Sequence, residues 1–297
     1  MNEALPGLVA VGSSRGPTGA RVGPARTRWT LWSSGLVAAG IAAASTYGLL
    51  ADHPYRELPE ATLIAAQAQD VCSVVVAALL LMMVRTRTAR AHVIRLGLLA
   101  YVTYSYAIYL IGIPINQMFL VYVVLVSLSG AALMDGLVRL RPEGWPRTSH
   151  RRLERGTGWM LVVVSVLFAG LWLVAVVPFA LGGSSPNPEG PGGVAYPVFV
   201  LDLVVVLPCV GAVGALLLRG RSIAGPLAVV VLVKIITLFT ALWTGVLVGL
   251  WRDAEVHLAA DAGPSLVMLA ACIVLVGRWL RVLHPIESGW IRATVWD

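Results

Sequence analysis

Charge is scarce in this chain. Of its 297 residues 12% are charged and 58% apolar, and the mean hydropathy is +0.82. A soluble fold of this length needs about a quarter of its residues charged to cover its surface, so soluble enzymes, secreted scaffolds and disordered adaptors are excluded. Cysteine is also rare: Cys72, Cys209 and Cys272 each lie inside an apolar run without Cys-x-x-Cys spacing. That leaves no basis for a disulfide framework or a redox pair. Histidine is missing from the interiors of the long apolar runs, with His53 and His257 beyond one rim and His92, His150 and His284 beyond the other. Haem held between two membrane histidines, an intramembrane His-Glu-x-x-His zinc site and a serine protease are thereby disfavoured. There is no Gly-rich phosphate loop ending in Lys, and no Asp-rich repeat suited to magnesium diphosphate. No cofactor and no metal site is expected.

What the chain has in plenty is long apolar runs. A hydrocarbon core about 30 Å thick takes roughly 20 helical residues, and eight stretches approach that length: 30–50, 62–84, 94–112, 116–138, 158–181, 197–219, 225–250 and 264–283. They lack the alternation of barrel strands, and lipid tolerates no unpaired backbone, so helices are expected. The predicted fold class is all-α, a polytopic transmembrane bundle of eight helices. Between the third and fourth, Gly112-Ile113-Pro114-Ile115-Asn116 reads as a tight hairpin. Residues 1–28 read as a disordered cytoplasmic arm, because they carry arginines but no apolar core of a signal peptide. The transmembrane domain is expected over 29–284, in halves 29–138 and 158–284 joined by a basic loop at 139–157, with a tail at 285–297. Residues 182–197, rich in Gly, Pro and Ser, read as structureless.

Arginine placement sets the expected orientation, since basic residues in short loops stay cytoplasmic. With both termini inside, 19 of 21 arginines fall on the cytoplasmic side, leaving Arg56 and Arg252 outside. This suits a bacterial cytoplasmic membrane, with anionic headgroups as partners of the cytoplasmic arginines. The net charge of +7 is spread between the apolar runs, so no nucleic-acid partner is expected. Trp29, Trp32, Trp159, Trp251 and Trp279 lie near the expected helix ends, as headgroup anchors do.

The two halves echo each other: Asp70, Arg85 and Tyr104 in the first correspond in order to Asp202, Arg219 and Lys234 in the second. Four helices per unit would make these parallel repeats. Gly40, Ala44 and Gly48 form a small-residue stripe that reads as helix packing alone.

An ionised group near the bilayer centre costs at least ~2.5 kcal/mol on insertion scales, so it needs a partner or a purpose. Lys234 is the only lysine. Arginine stays charged almost anywhere, whereas a buried lysine can release its proton. Counting along the helices puts Lys234 roughly 13 Å from one surface, Asp70 about 12 Å from the other and Asp202 about 8 Å from that same one. Depth therefore favours Asp70 as the partner of Lys234, with Asp202 also in reach. Gln67, Gln69, Tyr101, Tyr104 and Ser105 lie at similar depth and complete the candidate site. Pro208 bends the sixth helix beside Asp202. Asp135 and Arg139 have the spacing of a local ion pair. Asp253, Glu255, His257 and Asp261 read as a solvated acidic loop.

The strings Gln69-Asp70, Tyr101 to Tyr109, Asn116 to Tyr122, Val200-Leu201-Asp202-Leu203 and Leu232-Val233-Lys234 resemble a widespread bacterial family of uncharacterised multi-pass membrane proteins. The resemblance covers most of residues 60–240 and implies that these segments belong together; no activity comes with it. Three functions fit the sequence: proton- or ion-coupled handling of a small solute, a membrane-embedded enzyme acting on a lipid or isoprenoid, or a noncatalytic membrane subunit or assembly factor. The first is the leading expectation.

Overall fold

The computed structural model describes residues 28–51, 54–56, 58–86, 88–145, 150–184, 196–254 and 262–283. The expected arm, the Gly/Pro-rich stretch 185–195, most of the acidic loop and the tail lie outside the described residues. The described residues are all-helical and hold eight helices long and apolar enough to cross a membrane. They are α1 (Arg28–Leu50), α2 (Glu60–Arg85), α3 (Ala89–Gly112), α4 (Phe119–Val138), α5 (Arg151–Ala180), α6 (Pro197–Leu218), α7 (Ala224–Trp251) and α8 (Ala262–Val282).

The first four helices close on themselves, with α1 against α2 and α4 and α3 against the same two. In the last four, α6 contacts α5 and α7, and α7 contacts α8, while α5 and α8 meet more sparsely, through the Trp279 indole N–H and the Thr157 hydroxyl. The two groups meet where α7 lies across α2 and α3. At that crossing a Cβ on Gly97 would stand 2.5 Å from the Val233 Cβ and 2.8 Å from the Val230 carbonyl, so only glycine lets the backbones come this close. The most apolar window of α3 is 67% buried and that of α5 only 6%, so α3 is a central post and α5 a peripheral one. The α1–α4 closure has no equally extensive counterpart between α5 and α8.

Hydropathy placed most spans closely but cut two short at the arginine-rich end. α3 begins at Ala89, because the Thr88 hydroxyl accepts from the Ala91 amide at 3.2 Å and starts the helix there. His92, expected outside the helix, is therefore buried within it beside Arg95, which donates to His92 Nδ1 at 2.6 Å. α5 begins at Arg151, so part of the expected basic linker is helix. The rest is held too: Pro142–Gly144 makes a 3-10 turn, Trp145 is buried, and the Ser222 hydroxyl donates to the Pro142 carbonyl at 3.1 Å. At the opposite end the α3–α4 hairpin is as short as expected, with Asn116 Oδ1 accepting from the Met118 amide at 2.8 Å.

α6 is not one continuous helix. Pro197–Leu201 is α-helical, Asp202–Val206 is a π-helical turn, and Leu207–Leu218 resumes the α-helix. The Leu207 amide reaches back to the Asp202 carbonyl, five residues away. Pro208 supplies the reason: its ring has no N–H and would meet the Val204 carbonyl in an ordinary turn. A widened turn relieves the clash, and such turns concentrate at functional sites.

Candidate functional site

Lys234 lies on α7, 7% exposed, facing α3. Its Nζ stands over the Tyr104 ring, 3.9 Å from the centroid. A desolvated ammonium over an aromatic face gains about 2 kcal/mol, but a ring satisfies none of its three N–H donors. Among the described residues no carboxylate comes within ion-pair distance of Lys234 and no acceptor closes a hydrogen bond to it. The carboxylate acting on it electrostatically is Asp202.

Asp202 opens the π-helical turn of α6 and is also 7% exposed. Its Oδ2 accepts from the Trp172 indole N–H of α5 at 3.0 Å, while its Oδ1 is buried without a partner. The Tyr104 hydroxyl lies beside this carboxylate. Tyr104 thus stands between the two charges, ring toward the ammonium and hydroxyl toward Asp202. Trp172 packs on Phe199 at 5.1 Å between ring centroids, and Tyr196 on Phe199 at 5.2 Å, forming an aromatic wall on one side. A buried carboxylate oxygen without a donor is costly unless something visits it.

Asp70 is elsewhere, which corrects the depth-based pairing. Its Oδ2 accepts from the Tyr55 hydroxyl at 2.7 Å, and Ser45 of α1 is a second neighbour. Burial, then the Asp70 carboxylate, raises the Tyr55 phenol far above its ordinary range, so Tyr55 is held as a donor. Around this pair Tyr109 stacks on Tyr122 at 5.2 Å and Tyr106 meets Tyr109 edge-on at 5.6 Å. The Tyr109 hydroxyl donates to the Ala66 carbonyl at 2.7 Å, and the Tyr106 and Ser45 hydroxyls are 3.1 Å apart. Gly48 belongs here as well. A Cβ at that position would collide with the Asp70 carboxylate and stand 2.8 Å from the Tyr55 hydroxyl, so the α1 stripe makes room for a charge as well as for a helix.

The depths estimated for Asp70 and Lys234 were compatible; the direction around the helix decided the outcome. Asp70 points toward α1 and the tyrosines, whereas Cys72, two residues on and on the other face of α2, donates from its thiol to the Thr237 carbonyl of α7 at 3.8 Å.

The remaining candidates split. Tyr101 donates to Gln69 Oε1 at 3.1 Å, bridging α2 and α3, with Ser105 buried beside Tyr101. Gln67 is half-buried, its Oε1 has no partner, and it joins neither cluster. Trp279, expected as a headgroup anchor, is fully buried and donates to the Thr157 hydroxyl at 3.0 Å, whereas Trp29, Trp32, Trp159 and Trp251 are exposed. Asp135 and Arg139 form the expected pair, with Nε to Oδ1 at 2.7 Å. Glu255, His257 and Asp261 lie outside the described residues, and no group of three potential metal ligands occurs within them.

Reading by residue type missed Tyr55, Tyr122 and Trp172. Trp172 left one signal, an indole N–H in the middle of a long apolar run, where it requires an acceptor. Searches of protein-family models, of curated proteins and of solved structures found no match to the chain.

Proposed function

We propose that the protein moves a small solute across the membrane coupled to a proton or another ion, with Lys234, Tyr104 and Asp202 as its site. The observation that carries this reading is the Asp202 Oδ1 atom, buried and without a partner among the described residues, across Tyr104 from an ammonium that also lacks an acceptor among them. Two opposite charges held apart in low dielectric leave room for a polar guest that would satisfy both. A proton can serve as well, since a lysine, unlike an arginine, can change its charge there. The π-helical turn and Pro208 put an irregular backbone beside the carboxylate, a device that lets a membrane helix offer polar groups or change shape. Asp70 takes a structural part in this reading, tying the first loop to α1 and α2. The arginine distribution supports a bacterial cytoplasmic membrane with both termini on the cytoplasmic side.

Proteoliposomes loaded with a pH-sensitive dye test the proposal. Under an imposed potential, with a panel of amino acids and small organic ions outside, the wild type is expected to move protons faster than empty liposomes. Lys234→Met and Asp202→Asn are expected to be silent. A wild type indistinguishable from empty liposomes, or full activity in both variants, contradicts the assignment.

A further inference from the structure

At the arginine-rich end of the bundle a cavity of about 510 Å³ opens between the start of α5 and the end of α8, lined by His150, Arg151, Arg152, Leu153, Arg278, Arg281 and Val282. Four guanidinium groups from two helices face one space, and among the described residues no carboxylate lines it. The first turn of α5 borders the same space. His150 at its start provides no side-chain cap, and the positive end of the helix dipole lies beside the arginines, although the turn also carries Glu154, which is buried. Leu153 and Val282 give the same pocket an apolar side.

We propose that this pocket binds the phosphate headgroup of an anionic phospholipid. Arginine forks match phosphate oxygens in pairs, and a basic pocket at the end of membrane helices is where a headgroup resides. The position favours a lipid over a soluble phosphate: α5 is the most exposed of the eight spans, 6% buried in its most apolar window, and its apolar side chains would lie against the acyl chains of a molecule whose head is in the pocket.

Native mass spectrometry of the full chain in detergent, titrated with phosphatidylglycerol or phosphatidylcholine, tests this without any variant. One tightly retained phosphatidylglycerol is expected, with phosphatidylcholine failing to displace it. The double variant Arg278→Gln/Arg281→Gln is expected to weaken retention about thirtyfold, as two arginines near an anionic headgroup should. Arg85→Gln, an exposed arginine at the end of α2, is expected to leave retention unchanged. Equal retention of the two lipids overturns the proposal. So does an equal loss in Arg85→Gln, which would show a general attraction of the basic face. Competition by soluble glycerol phosphate at the concentration of the lipid would replace the lipid with a free phosphate ligand.

Discussion

Two aspartates are buried among the described residues of this bundle, and they live differently. Asp70 is surrounded by groups that complete it: a phenol donates to it, a serine adjoins it, and three further tyrosines pack around the pair. Asp202 keeps one oxygen bonded to an indole and leaves the other without a donor, near a lysine that leans on a ring instead of an anion. A cluster of this kind is what stability selects, because Asp70 Oδ2 and the Tyr55, Tyr106, Tyr109 and Ser45 hydroxyls have hydrogen-bond partners in place of water. An incomplete one costs folding free energy and persists where a ligand or proton completes it. The contrast assigns a structural part to the first and the proposed site to the second.

Substitutions at each cluster break or sharpen that contrast. The largest loss is expected from Gly48→Val, which drives a branched side chain into the Asp70 carboxylate and the Tyr55 hydroxyl. Overpacking together with a broken buried hydrogen bond should cost about 3 kcal/mol or more, read as a drop in the unfolding midpoint or as loss of folded yield. Tyr55→Phe keeps the ring and removes the donor, leaving Asp70 Oδ2 bare, and should cost about 2 kcal/mol. At the other cluster, Asp202→Asn with Lys234→Met removes both charges together, and stability should hold or rise, because a poorly satisfied buried pair is often replaceable without loss. The smallest effect is expected at the rim, where Asp135→Asn breaks an i, i+4 pair with Arg139 worth about 0.3–0.5 kcal/mol.

Much of the fold was legible because lipid imposes a simple rule on sequence. A run that must bury about 30 Å of backbone reveals itself by its length, and all eight helices follow from that. Ends beyond the hydrocarbon are set by capping, so Thr88 extends α3 past His92, where hydropathy alone shows a basic loop. The site was half legible. Rarity singled out Lys234, and Pro208 pointed to the break beside Asp202. Which carboxylate faces which helix depends on rotation about the helix axis, and helices that are apolar on most sides leave too weak an amphipathic stripe to fix it. Asp70 was therefore assigned to the wrong neighbour although its estimated depth suited Lys234. Tyr55 gave no warning, since it lies in a loop between two spans and becomes a buried donor only when that loop folds over α2.

On this account the Asp70 cluster holds the bundle together and the Lys234–Asp202 cluster does not. Thermal unfolding of Asp70→Ala beside Asp202→Asn/Lys234→Met, in one detergent and at one pH, tests it most directly. Loss of the Asp70 carboxylate strands the Tyr55 hydroxyl and opens a cavity, so its midpoint should fall by about 6 °C or more, while the double variant stays level with the wild type or above it. Equal losses in the two, or a larger loss in the double variant, would contradict the division drawn here.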